Sequence, residues 1–194
     1  GSLSPGTYPQ NIGCSPGRGG YEDSIKAGRI ILEARSNIAD FFNVPNPEQI
    51  IFTHNVTYAL NMGLKGILKN NDHVITTTME HNSVLRPLYG LEKKGIIEVD
   101  YVKCEKDGSL NPAKIKNYIK DNTKLIVITY ASNVTGTLMP VKEVSKIAKE
   151  NNLYFILDTA QAAGLYDIDF QDLNTHVHML SESCEFPNLH KCLI

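Results

Sequence analysis

The sequence predicts an α/β fold, a mostly parallel sheet with helices packed on both faces. Short runs rich in β-branched residues alternate with segments whose apolar residues recur at helical spacing. The joints between them are short, roughly two to six residues, as βα units require. The clearest apolar run, residues 153–157, ends on the carboxylate of Asp158, and the amide of Gln161 follows three residues later. Open α/β sheets bind ligands at the carboxyl ends of their strands, so this run marks both a core strand and a candidate site.

A chain of 194 residues can bury a substantial core and fits one domain. Its first 20 residues, rich in Gly, Pro and Ser, read as a loop crossing a surface or the mouth of an active site. From Tyr21 onward Ile25, Ile30, Ala34, Ile38 and Phe41 recur near helical spacing with Phe42 beside them, which predicts an amphipathic helix with one buried face. Ile50, Ile51, Phe52 and Thr53 predict a first strand, and a helix is predicted near 57–68. Further strands are predicted at 74–77, 97–102, 125–129 and 153–157, alternating with helices near 83–94, 112–119 and 141–150. Residues 177–180 begin one more strand, whereas 181–194 show neither period. The organisation expected is an entrance segment at 1–20, a partial large domain at 21–180 and an unmatched tail at 181–194.

With 19 basic and 21 acidic residues the net charge is −2, so no global field gathers polyanions, and nucleic-acid binding is not expected. No apolar run approaches the length of a membrane span, and the first residues carry neither a basic segment nor an apolar signal core. Four irregularly spaced Cys do not make a secreted disulfide framework, which leaves the cytoplasm as the expected location.

The candidate chemistry sits after the strands. Thr57 stands near a helix start, where free N–H groups collect anions; its hydroxyl either adds a donor to a phosphate or simply caps the helix, and the residue type alone favours the cap. His81, in Met79, Glu80, His81, Asn82, Ser83, either lies flat on a planar ring and passes protons at its edge or merely occupies a loop whose Asn82 or Ser83 caps the next helix. Asn133, with Gly136 permitting a tight turn, offers an amide to a phenolate-like oxygen. Asp158 suits a protonated ring nitrogen, which it keeps positive so that the ring draws in electrons; helix cap and metal ligand are its rival roles. Gln161 approaches the same group from the following turn. Together these residues describe one cleft.

Those positions lie in an ordered series of motifs: Ser15, Pro16, Gly17, Arg18, Gly19, Gly20; the 50–53 run with Asn55 to Asn61; Met79 to Ser83; Ala131, Ser132, Asn133, Val134, Thr135, Gly136, Thr137; and Leu157, Asp158, Thr159, Ala160, Gln161. In this series the sequence resembles the class V aminotransferase family of pyridoxal-phosphate enzymes, especially its cysteine desulfurase and selenocysteine lyase-like branch. The resemblance covers residues 13–180. It implies a fold type I transferase with an incomplete large domain, and pyridoxal 5′-phosphate as cofactor. It further implies that His81 stacks on the pyridine ring as the catalytic residue, Thr57 helps bind the phosphate, Asn133 and Gln161 approach the ring hydroxyl, and Asp158 pairs with the ring nitrogen. Arg18 lies in the family's glycine-rich segment without an assigned contact.

By the same resemblance the complete enzyme converts L-cysteine to L-alanine, passes sulfur to an enzyme cysteine, forms a homodimer and hands sulfur to an acceptor protein. A selenocysteine lyase or an aminotransferase on the same platform is the alternative, and a noncatalytic scaffold fragment is a third. The chain departs from the family where the cofactor-bonding His–Lys pair is expected: the sequence there reads Ser181, Glu182, Ser183, Cys184, and Lys191 stands too far along the tail. The family's N-terminal strand region and its smaller C-terminal domain, with a substrate-carboxylate arginine and a mobile cysteine, are also unmatched. None of Cys14, Cys104, Cys184 or Cys192 takes the cysteine's role. The chain alone is therefore expected to be inactive, with exposed sheet edges that favour aggregation or a partner. His176, His178, Cys184, His190 and Cys192 do not follow a zinc-finger order, so no metal site is expected.

Overall fold

The structure, a computed structural model, describes Pro16, residues 20–173 and residues 177–179. The tail at 181–194 and all of the entrance segment except Pro16 and Gly20 lie outside the described residues, as do Arg18, His176 and Lys191. The chain divides into two compact units, residues 1–50 and 51–194.

In the first unit the helix α1 spans Glu22–Phe41. Glu22 and Asp23 lie in its first turn, where the helix dipole favours negative charge, and Lys26 reaches back to Glu22 at 2.8 Å. The helix is where the periodicity predicts it, but the face is not: Ile38 and Phe42 are buried, whereas Ile25, Ile30 and Phe41 are exposed. Periodicity locates an apolar stripe; only tertiary contact covers it.

The expected strand at residues 50–53 does not form. The short 3-10 turn Pro47–Gln49, capped by the Asn46 side chain on the Glu48 N–H, runs straight up to it. Beyond it the Thr53 hydroxyl donates to the carbonyl of Asn55, itself the cap of the next helix. Ile51 is 61% exposed, and no ladder takes up this segment. An apolar β-branched run becomes a strand only beside a partner, and all five described strands pair with one another instead.

The second unit then follows the predicted alternation, except that α4 is shorter than the helix expected near 112–119 and that the pattern does not predict the short α6: α2 Val56–Ile67, β1 Asp72–Thr77, α3 Asn82–Lys93, β2 Ile97–Val102, α4 Ala113–Lys116, β3 Thr123–Thr129, α5 Val141–Glu150, β4 Tyr154–Asp158, α6 Phe170–Leu173 and β5 Val177–Met179. Every pairing is parallel, and the strand order is β2-β1-β3-β4-β5. Strands buried on both faces need no polar alternation, which is why β3 reads as a continuous apolar run. On one face Val74, Val99, Leu125, Val127 and Ile156 pack with Leu60 and Leu64 of α2 and Val84 and Leu88 of α3. The alternate residues Ile75, Ile126, Ile128, Phe155 and Leu157 are buried as well, and α5 packs along β4.

This order decides where a ligand can bind. β1 has β2 on one side and β3 on the other, so the connections leaving the ends of β1 and β3 run in opposite directions and open a crevice. α2 starts beside that crevice. Its cap is Asn55, whose Oδ1 accepts the Tyr58 N–H at 2.8 Å, so the reading of Thr57 as the cap is corrected: Thr57 is the second residue of the helix. Asn55→Ala is expected to cost about 1 kcal/mol in a denaturant titration, the usual worth of such a cap. Among the described residues no helix is long and apolar enough to cross a membrane.

Candidate active site

Three strand ends deliver side chains to one cavity of about 110 Å³, whose walls include His81, Asn133, Asp158 and Gln161. Thr57 is not among its walls, although the preceding residue, Val56, is. At this helix start the N–H groups of Val56 and Thr57 are the two that precede the capped N–H of Tyr58, as an anion site requires.

His81 follows β1 and is itself the N-cap of α3, which replaces the expected cap by Asn82 or Ser83. Its Nδ1 accepts the backbone N–H of Ser83 at 3.2 Å and lies 2.7 Å from the Ser83 hydroxyl. An amide N–H can only donate, so Nδ1 is the acceptor in that contact and Nε2 is left for another partner. The ring is thereby fixed in position.

Asn133 follows β3 on a loop closed upon itself. The Ser132 N–H donates to the Thr137 carbonyl at 3.0 Å, the Gly136 N–H to the Ser132 carbonyl at 2.9 Å, and the Ser132 hydroxyl accepts from Val134 and Thr135. Gly136 has φ +69°, the left-handed conformation that the turn requires. The Thr137 hydroxyl then ties the loop to the Asp107 carbonyl at 3.0 Å. Beside that tie, a Cβ on Gly108 (φ +84°) would come within 3.0 Å of the Thr137 hydroxyl oxygen.

Asp158 ends β4 beside Thr129 of β3 and is 3% exposed. Its Oδ1 accepts the N–H of Ala160 at 3.0 Å. Burial pushes its carboxyl above the ordinary aspartate value, while the Ala160 N–H and the nearby His81 pull it down. A desolvated carboxylate with one hydrogen bond from the described residues is a strong attractor for a cationic group entering the cavity. Gln161 lies in the turn after β4 and completes that wall.

Two participants escaped the sequence reading. Ser83 lines the cavity and orients His81, a relation visible in the His-x-Ser spacing. Glu80 is buried outside the cavity wall, and a glutamate next to a candidate imidazole was its only signal. Cys104, half-buried after β2, has its thiol pushed up by burial against the pull of Thr77 and Thr78, which makes it a thiol and not a thiolate nucleophile. Cys14, Cys184 and Cys192 lie outside the described residues.

Residues 7–182 match the family Aminotransferase class-V. The chain belongs to the class-V aminotransferase family. The match runs through every candidate residue of the cavity. Among class-V relatives, Cysteine desulfurase IscS of Clostridium botulinum (strain Kyoto / Type A2) is 37% identical over 167 residues, 84% of this chain and 41% of that protein. The Cysteine desulfurase IscS of Methanosarcina thermophila is 39% identical over 165 residues, 83% of this chain and 40% of that one. The fold agrees with the structure of SspA in complex with cysteine at a TM-score of 0.86, with 29% identity over 91% of this chain and 52% of that chain. It agrees with the apo structure of the cysteine desulfurase from Thermococcus onnurineus NA1 at 0.83, again at 29% identity, covering 92% of this chain and 44% of the other. The chain thus spans about two fifths of the length of these sequence relatives.

Proposed function

We propose that this chain forms the pyridoxal-phosphate pocket of a cysteine desulfurase, whose complete protein converts L-cysteine to L-alanine and passes the sulfur to a cysteine thiol of the enzyme. The observation that carries the reading is the buried carboxylate of Asp158, set in a cavity wall with an imidazole and two amides. That donor set fits the cofactor: an acid for the ring N–H, a flat ring to stack, and neutral donors for the ring oxygen. Among the described residues no lysine lines the cavity, so the donors described fit the noncovalent contacts and not the covalent one.

The bound cofactor supplies an electron sink for charge developing on the amino acid. The protein's residues hold and orient it. Asp158 would keep the ring nitrogen protonated, Asn133 and Gln161 would donate to the ring oxygen, and the first N–H groups of α2, with the Thr57 hydroxyl, would receive the phosphate. His81, in the cavity wall, would stack on the ring. In the overall change the C–S bond of cysteine breaks, its Cβ gains a proton to give alanine, and the sulfur forms a persulfide with the accepting thiol. The cysteine-bound SspA structure and the names of the sequence relatives support cysteine as the substrate. The same reading makes the complete protein a cytoplasmic homodimer serving a sulfur-acceptor protein.

The test is an absorption titration of the chain with pyridoxal phosphate, followed by removal of free cofactor, borohydride treatment and mass measurement. Retained cofactor without a lysine adduct is expected, with His81→Ala weakening retention about tenfold through lost stacking. Absence of any retained cofactor would overturn the reading. A reducible adduct would instead locate a covalent lysine and call for assay of cysteine turnover by the chain itself.

A further inference from the structure

Glu80 lies between the end of β1 and His81, 7% exposed, and is not part of the cavity wall. Its Oε1 accepts the hydroxyl of the fully buried Thr77 at 2.6 Å, and the Thr77 oxygen accepts the Met79 N–H at 3.2 Å. These two bonds clasp the turn that presents His81. Its Oε2 is buried and has no hydrogen-bond partner of ordinary geometry among the described residues, the Thr129 backbone exerting only a weaker pull on the carboxyl, and none of the ion pairs among those residues includes Glu80. The titratable groups that face it are Asp158 from β4 and Cys104 from the segment after β2, with His81 adjacent in sequence.

An ionised Glu80 would be a buried anion without a counter-ion, set beside a second carboxylate. Burial of that kind costs several kcal/mol, and the group takes up a proton instead. Between two carboxyls, the one that is buried without a cationic partner is the one that takes up the proton. Asp158 opens on a cavity where a cation can enter; Glu80 does not. We propose that Glu80 is a positioning residue that acts as the neutral acid, clasping the turn that carries His81 and leaving Asp158 as the sole anion facing the cofactor. Its role toward the cofactor rests on the pyridoxal-phosphate reading; its protonation does not.

The electrostatics agree. Burial pushes the Glu80 carboxyl up to about 8, against the pull of hydrogen bonds from Thr77 and the Thr129 backbone and with a small added push from Asp158. The folded value is thus above the unfolded value of 4.5, so between those two the folded state holds a proton that the unfolded state has lost. Stability from this group is present in acid and is lost as pH rises toward 8, with no further loss above it.

The test uses Glu80→Gln, which keeps the shape and the neutral state, and Glu80→Ala, which removes the clasp. Infrared difference spectra of the cofactor-free protein at pH 7 should show the carbonyl stretch of a protonated carboxylic acid in the wild type. The band should be absent from E80Q and lost from the wild type on titration through about pH 8. In denaturant titrations E80Q should gain on the wild type from pH 5 to pH 8; the slope due to Asp158 cancels in that comparison. Cofactor affinity at pH 7 should fall about tenfold in E80A and be restored in E80Q. A wild type without the band, or a band that survives in E80Q, overturns the protonated state. Equal stability differences at pH 5 and pH 8 do the same. An E80Q affinity as poor as that of E80A overturns the positioning role. If the wild type retains no cofactor while the band behaves as described, the pyridoxal-phosphate reading fails and the protonated Glu80 stands.

Discussion

Replacing Asp158 with Asn should all but abolish cofactor retention and at the same time stabilise the cofactor-free chain. The two effects share a cause. The carboxyl is 3% exposed and held by one backbone N–H, so its charge is expensive in the empty cavity and valuable once a ring N–H⁺ meets it. Losing one partner of a buried hydrogen-bonded charge pair costs about 2–5 kcal/mol, roughly thirtyfold to several thousandfold in affinity. The stability gain has a definite pH dependence. Burial raises the folded value above that of the unfolded chain, so the folded state binds the extra proton, and stability falls as pH climbs from below the ordinary aspartate value through the folded one. Where the two states differ by a full proton the slope is about 1.4 kcal/mol per pH unit. D158N should therefore melt above the wild type at pH 7, with the gap closing near pH 3, while a pyridoxal-phosphate titration shows the loss of binding. Undiminished affinity in D158N would remove the ring-nitrogen partner from the proposed function.

Phe155→Ala should be the most damaging single change to the fold. Phe155 is fully buried in β4, paired in register with Ile126 of β3, and lies three residues before Asp158. Truncating such a phenylalanine removes its transfer free energy and leaves a cavity, together about 3–5 kcal/mol. Against the ordinary stability of about 5–15 kcal/mol, that change brings a domain close to its limit. The same loosening reaches the site, because Asp158 is the last residue of that strand. Tyr154→Ala is the control: Tyr154 is 37% exposed, its ring sits 4.9 Å from the Lys124 ammonium, and its loss should cost under about 1 kcal/mol. Urea titrations of the two variants check the difference. Comparable midpoints would mean that β4 is not the core strand described above.

The alternation of strands and helices after residue 70 was legible because hydrophobic period is a local property. The apolar runs at 125–129 and 153–157 carry their own evidence of burial on both faces. So do the positions at which polar residues follow strands, which is how Asn133, Asp158 and Gln161 could be picked out as cavity residues. The misreadings came where the deciding partner is distant. The run at 50–53 has the composition of a strand but no ladder, and α1 has the predicted period with a different buried face. The helix caps turned on backbone geometry: Asn55 and His81 cap where Thr57 and Asn82 or Ser83 were the expected residues.

Sequence by itself thus determined the class of fold, the family motifs, and which side chains stand at strand ends, since each depends on residues close together in the chain. Tertiary structure alone decided the order β2-β1-β3-β4-β5, which opens the crevice between β1 and β3 and turns separate strand ends into one cavity. It also decided that Glu80 is buried away from the cavity while Asp158 lines it, the difference on which the proposed neutral state of Glu80 rests. The physical reason is common to both: strand pairing and desolvation depend on what chain segments far apart in sequence bring together, and local pattern carries no record of it.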